Sequence, residues 1–421
     1  MIGANAQKSS TLKKLIIPAL CVVDILMFPY IRALSCSLSM IIIVLWCLFH
    51  IGSIPVKHTI SVVIPMVVVS VLFGIFVHHS MNGLSTAILV IYSMLLFYYV
   101  SHFYNVDFKE IISKILFIYI TLVFALAVLY AVAPQTYFSV RAFWTMSNTK
   151  IEFTSLVINR FTFVYSDPNN AGCALTAIYA YVLICERHKM WRYIYYIAAL
   201  GVSVLLTMSV QAAAMFALIS VVFLLLRGEE YKVAKKAMRI VMIAALAVVI
   251  CLGGILLSNS KLLDSIFDRL TGGNLSTAGG RMSYWTDTII NALGWENILI
   301  GKGSVIDSAG KTYLPHSGNL YMTISYGLIT NIAYVIAMFV LPRHTKRRYY
   351  LILLPFMMIY TINTGVSDYR FISVMAMLSA VIHKQASCDL ELTQAQIEPM
   401  ATEEAEEPVF VGKADDREEL A

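Results

Sequence analysis

Apolar residues in this sequence arrive in runs of about 20, the length of helix that crosses a hydrocarbon core of roughly 30 Å. Short polar stretches divide the runs. The rhythm predicts about twelve spans, at 12–31, 35–54, 59–79, 84–104, 113–133, 169–186, 192–209, 211–227, 238–257, 318–341, 349–364 and 370–384. The two spans that meet at Ser209 are cut from one long apolar run. Two segments break the rhythm: 134–168, crowded with aromatic residues, and 258–317, long, polar and rich in glycine. Beyond 385 the chain is acidic, with Phe410 as its single aromatic, a composition that predicts a disordered tail.

Composition agrees with the pattern. Of 421 residues, 59% are hydrophobic and 13% charged, and the mean hydropathy is +0.75. A soluble domain is roughly 45–50% apolar and about 25% charged. Backbone polar groups in lipid must be satisfied within their own segment, which favours helices over an open sheet. The expected fold is therefore all-α and polytopic. Residues 1–384 form the transmembrane domain, with outer loops at about 134–168 and 258–317, and 385–421 form the acidic tail. Lys8, Lys13 and Lys14 before the first apolar run imitate a signal peptide. No small-residue cleavage site follows cleanly, so the run is expected to remain as a span.

Charge sets the orientation. Short cytoplasmic loops collect Lys and Arg. An N-terminus inside the cell puts Lys57, Lys109, Lys114, Arg187, Lys189, Arg192, the cluster from Arg227 to Arg239, and Arg343 to Arg348 on the cytoplasmic side. The short outer loops then keep only Arg32 and Arg370. Both termini are cytoplasmic, and 134–168 and 258–317 face outward. The net charge of +6 is mostly this inside bias rather than a nucleic-acid footprint.

Several chemistries lack their motifs. There is no Walker A glycine loop, no Asp-x-Asp pair and no HExxH, which argues against ATP, a metal-held nucleotide sugar and a zinc hydrolase. The 7 cysteines form no CxxC pair or paired framework, so neither a disulfide nor a metal cluster is inferred. No cofactor is expected. No duplicated half with broken helices is visible, which weakens a transporter reading.

The polar segments carry the candidate chemistry. His316 precedes Ser317, a helix N-cap residue type, which would set the imidazole at the positive end of a helix dipole and keep it neutral. Asn319, three residues on, shares its face. The alternative is a loop histidine beside a cap. Arg281 follows Gly279-Gly280 and opens a stretch with Trp285, Ile289 and Leu293 at helical spacing. Glycines before a helix plus a guanidinium fork suit an anion, although a solvated arginine in a turn fits as well. The aromatics of 134–168 suit sugar faces or a membrane-interface belt. That segment also holds Arg141 and Arg160 and ends in Asp167-Pro168-Asn169, where Asp167 or Asn169 can cap a helix. Asp368 and Arg370 share an outer turn, as a mutual ion pair or as polar lining beside His316. Asp24 falls inside the first span, where a charge is costly and often functional.

Taken in order, these features resemble the O-antigen polymerase and O-antigen ligase superfamily of bacterial inner membranes. The shared features are about twelve spans, an Asp-Pro-Asn turn after an outer loop, a large outer loop with Gly-Arg near its middle, and His-Ser at its end. The resemblance is best over 160–375. The ligase pattern is His, then Asn, Ser or Gln, nine residues, and Gly-x-x-Gly. Here His316-Ser317 is followed by nine residues and Gly327, but Thr330 stands where the second glycine belongs. Family members often carry Thr-x-Ser-Arg-Gly at a mid-chain outer turn. Here that turn reads Thr207-Met208-Ser209-Val210-Gln211 and lacks the arginine, so either Arg160 or Arg141 replaces it or the diphosphate is held differently. This departure favours a polymerase over a ligase.

The resemblance implies a GT-C-like membrane glycosyltransferase, independent of metal, that joins glycans carried on undecaprenyl diphosphate at the periplasmic face. Its partners would be that lipid-linked oligosaccharide, membrane lipid and a chain-length regulator, with no nucleic acid. It implies catalytic roles for His316, as base, and Arg281, on the diphosphate. Arg160, Asp167, Asn169, Asn319, Asp368 and Arg370 would bind substrate. The alternatives are a ligase moving polymer onto lipid A core, and a polysaccharide flippase or transporter without catalysis.

Overall fold

The computed structural model describes residues 108–145, 160–165, 167–185, 190–226, 317–335 and 351–362, with short pieces at 30–31, 36–37, 41–42, 45, 243, 298–299, 301, 305–306, 312–313, 374, 378 and 382. The longer stretches are helical: α1 (Phe108–Val132), α2 (Pro134–Thr145), α3 (Pro168–Cys185), α4 (Met190–Leu206), α5 (Val210–Leu226), α6 (Gly318–Val335) and α7 (Leu353–Ile362). Among the described residues, strands pair as β1 (Tyr30–Ile31) with β2 (Cys36–Ser37) and β3 (Val305–Ile306) with β4 (Thr312–Tyr313), both antiparallel. The spans expected at 59–79 and 84–104 and the tail 385–421 lie outside the described residues. Those at 12–31, 35–54, 238–257 and 370–384 are touched only at isolated positions, and Asp24 is not among them. Tyr30, Ile31, Cys36 and Ser37, placed at span ends by hydropathy, are strand residues.

The apolar run divided at Ser209 is two helices, α4 and α5, separated by the turn at Thr207-Met208. Part of the segment read as an outer loop is helical. Pro134 has no N–H and cannot continue the ladder of α1, but its fixed φ suits the first position of a new helix. The chain accordingly restarts as α2, which packs back on α1.

The core is built on α3. Every residue from Asn170 to Ile184 is buried, a helix apolar on all sides and so enclosed on all sides. It packs against α4, α5 and α7, while α1 packs on α4 and α6 on α7. Small residues on α3 allow close approach of the backbones. A Cβ built on Gly172 would collide with the Ala212 side chain of α5 and lie 3.2 Å from Thr207 Oγ1. Gly172→Leu is therefore expected to force α3 and α5 apart at a cost of about 1–3 kcal/mol or more. Thermal unfolding of the detergent-purified protein checks this: the midpoint should fall, and an unchanged midpoint would refute the close-approach argument.

One helix among the described residues, Ser113–Val132, is long and apolar enough to cross a membrane, with hydropathy 2.7 over its apolar window. Trp191–Leu206 and Val210–Leu225 are apolar but shorter. Large apolar side chains stand exposed on α1 (Ile118, Val132), α5 (Leu218, Val221, Leu225), α6 (Ile329, Ile332) and α7 (Met357). An outward apolar surface of this extent fits contact with lipid better than contact with water.

α6 departs from the expected single span at 318–341. Gly327 has φ 82° and ψ 165°, outside helical geometry. In a continuous helix, residues 319 and 331 would stand about 18 Å apart at 1.5 Å per residue. Instead Asn331 Nδ2 lies 3.3 Å from the main-chain oxygen of Asn319. Only a reversal of the chain at Gly327 allows this, so α6 is two short antiparallel legs. The first leg, to Tyr326, is roughly 14 Å long, about half the hydrocarbon thickness. The segment at 298–301 closes the break. Ile298 O accepts the otherwise orphaned N–H of Leu328 at 2.8 Å. Gly301, with φ 85°, lies so close to Tyr326 and Gly327 that a side chain there would strike their backbone.

Candidate functional site

The C-terminal end of α4 and the N-terminal ends of α3 and α5 converge on Arg160. α4 ends with Met208 in the left-handed region, φ 49°, which leaves its last carbonyls pointing out of the helix. The chain at 160–161 runs past them. Phe161 N donates to Leu206 O at 3.2 Å, Arg160 Nε to Thr207 O at 2.8 Å, and Arg160 Nη2 to Met208 O at 3.0 Å. A guanidinium at the negative end of a helix dipole is favourably placed. Arg160 is buried, so this cap is screened little by water.

The same cation touches the N-termini of the neighbouring helices. Asp167 Oδ1 accepts from Asn169 N at 2.7 Å and from Asn170 N at 3.3 Å. Of the two residue types able to cap α3, Asp167 is the N-cap, and Pro168 fills the first helical position, where a missing N–H does no harm. Ser209 caps α5 through Ala212 N to Ser209 Oγ at 3.3 Å. Asn169 Oδ1 ties the two ends together: it accepts from Ser209 Oγ at 2.8 Å and from Arg160 Nη2 at 3.4 Å. Thr207 Oγ1 donates to Val204 O at 2.6 Å and accepts from Ser209 N at 3.3 Å. Three of the sequence-predicted residues, Arg160, Asp167 and Asn169, are thus brought together around the Thr207–Ser209 turn. Val210, at the position where the resemblance expects arginine, is exposed. The guanidinium at this turn comes from Arg160, 47 positions before Thr207.

The aromatics near this site do a different job from either expected one. Tyr137, Phe161, Phe163 and Tyr165 are buried. Tyr130 of α1 meets Tyr137 at 5.3 Å and Phe161 at 5.9 Å between ring centres, and Tyr119 meets Phe163 edge-on at 5.3 Å. They form the core under the site, so these four are neither a sugar platform nor an interface belt. Burial pushes the Tyr137 phenol above its ordinary range, opposed by its hydrogen bond with Thr162 and by nearby Arg141. Arg141 Nη2 donates to Tyr165 O at 3.3 Å, on a different carbonyl from those at the Thr207–Ser209 turn.

Asn319 stands in a second cluster. Ser317 caps α6, with Leu320 N donating to Ser317 Oγ at 3.4 Å and Tyr321 N to Ser317 O at 2.9 Å. In the first turn of that leg, Asn319 meets Asn331 and Tyr360 of α7. The nine residues between Ser317 and Gly327 are therefore one leg of helix, from its cap to its break. Helix α7 packs against both α3 and α6. Asn331 and Tyr360 escaped the sequence reading. The available signal was a lone asparagine inside an apolar run, a costly placement that usually has a partner.

His316, Arg281, Asp368 and Arg370 lie outside the described residues. No family model matches the chain, and no curated protein or solved structure matches it.

Proposed function

We propose that this chain is a polymerase of oligosaccharide repeat units carried on undecaprenyl diphosphate, acting at the periplasmic face of a bacterial inner membrane to build O-antigen, capsule or exopolysaccharide. In this reading it is a multi-pass protein in which the run 318–341, expected as one of about twelve spans, turns back at Gly327 instead of running straight. The observation that carries the proposal is Arg160 seated on the Thr207–Ser209 turn. The sequence lacks an arginine in that turn, and the fold supplies one from outside it.

The donor glycan is already activated by its diphosphate, which fits a chain without nucleotide motifs. A hydroxyl oxygen of the acceptor repeat unit bonds to the anomeric carbon of the donor. The bond from that carbon to the diphosphate oxygen breaks, and undecaprenyl diphosphate leaves with the electron pair. His316 takes the hydroxyl proton. Arg281 and Arg160 stabilise the charge that grows on the leaving group. Asn169 bridges Arg160 and the Thr207–Ser209 turn, and Asp167 caps the helix that carries Asn169. Asn319, Asp368 and Arg370 contact sugar.

A ligase is the nearest competitor, because the step from His316-Ser317 to Gly327 follows the ligase spacing. Deletion of the gene separates the two. Loss of a polymerase is expected to leave lipid A core bearing one repeat unit. Polymer held on undecaprenyl diphosphate beside bare core would instead identify a ligase, and an unchanged glycan profile would overturn both.

A further inference from the structure

Asn331 is buried, and both ends of its carboxamide are engaged. Its Nδ2 donates to Asn319 Oδ1 at 2.6 Å and to Thr323 Oγ1 at 2.8 Å, with the main-chain oxygen of Asn319 at 3.3 Å. Its Oδ1 accepts from the Tyr360 hydroxyl. Chemistry fixes the direction of each bond. A main-chain carbonyl only accepts, so the Asn331 atom facing Asn319 O must be nitrogen. The Thr323 hydroxyl donates to Asn319 O at 3.0 Å, so it accepts from Asn331. The Asn319 atom 2.6 Å from that nitrogen must then be the carbonyl oxygen. It follows that the –NH2 of Asn319 is turned away from the cluster. Asn319 is exposed while Asn331 is buried. An exposed carboxamide ordinarily turns freely; this one is held from below.

We propose that Asn319 presents its –NH2 as a preset donor to an oxygen of the sugar substrate, and that Asn331, with Tyr360, is the positioning residue that holds it. Asn319, Thr323, Asn331 and Tyr360 are all neutral, a chemistry suited to hydroxyl and ring oxygens rather than to a diphosphate. Asn319 lies three residues beyond His316, on the leg that Ser317 caps. A donor fixed before binding loses less rotamer freedom when the ligand arrives. The reversal at Gly327 makes this possible, because it returns Asn331 alongside Thr323, within side-chain reach of Asn319. The inference rests on the polymerase reading and assigns sugar recognition, as distinct from diphosphate recognition, to this end of the hairpin.

The test is a titration of full-length protein in detergent with undecaprenyl-diphosphate-linked repeat unit and, separately, with undecaprenyl diphosphate lacking sugar. Asn319→Ala and Asn331→Ala are each expected to weaken binding of the glycan lipid about tenfold, the scale of one lost hydrogen bond, and to leave binding of the sugar-free lipid within about twofold. The double variant should bind no more weakly than Asn319→Ala alone, because Asn331 acts through Asn319. Tyr360→Phe, which removes one hydroxyl and keeps the ring, is expected to weaken only the glycan lipid, by about threefold or more. It answers the question if Asn331→Ala does not fold. Wild-type affinity in Asn319→Ala, additive losses in the double variant, or equal binding of both lipids by the wild type would each overturn the proposal. If the sugar-dependent losses occur but no polymer grows, the sugar site stands and the polymerase reading falls.

Discussion

Replacing His316 with alanine is expected to lower the rate of glycan elongation by about 10²–10⁴, the usual contribution of a positioned general base. The attacking hydroxyl has a pKa far above neutral, so its proton must leave as the new bond forms. The loss should appear in the rate at saturating substrate, because a base acts in the transition state and adds little to ground-state binding. Complementation of a deletion strain at matched protein level gives the first readout, and normal polymer there would end the base assignment.

Removing Arg160 is expected to damage the fold as well as the reaction. Its guanidinium holds the carbonyls of Thr207 and Met208 and reaches Asn169. Arg160→Ala leaves these buried acceptors without that donor, at about 1–3 kcal/mol each. For the two carbonyls a loss of roughly 2–6 kcal/mol follows, enough to lower the thermal midpoint and the amount of protein in the membrane. Arg160→Lys keeps the charge but loses the planar fork that serves two carbonyls at once. It should sit between alanine and wild type in stability. Thermal unfolding of the purified variants measures both. Wild-type stability in Arg160→Ala would show that the cap contributes nothing. Under the proposed function, Arg160 first holds the turn, and its charge would act on the diphosphate from that fixed position.

What was legible in the sequence was the signal that burial writes along one dimension. α3, α4 and α5 lie on apolar runs, and the turn between α4 and α5 showed in Thr207 and Ser209, polar residues in an apolar stretch. Asp167-Pro168 announced the start of α3 because a carboxylate and a proline have defined work at a helix start. Three-dimensional relations were not legible. Nothing local to Arg160 says that it will cap a helix ending at Leu206, since the two are joined only by the packing of α3 against α4 and α5. The aromatics of 134–168 showed their size but not which way they face, and four of them are core. The reversal at Gly327 was concealed by the apolar character of both legs. Hydropathy reports that a segment avoids water, and a folded-back pair of legs avoids it as well as a straight span does. Gly327 and Asn331 were the only local marks, one supplying a left-handed φ and the other a polar group that needs a partner.

The reaction itself offers the most direct measurement. Full-length protein purified in detergent is mixed with undecaprenyl-diphosphate-linked repeat unit alone, without nucleotide and with a chelator present, and the lipid-linked products are resolved by size. A polymerase of this kind yields a ladder of multiples of the repeat unit with release of undecaprenyl diphosphate, and the ladder is lost with His316→Ala. Glycan that remains a single repeat unit, from protein shown to bind the lipid-linked substrate, would contradict it.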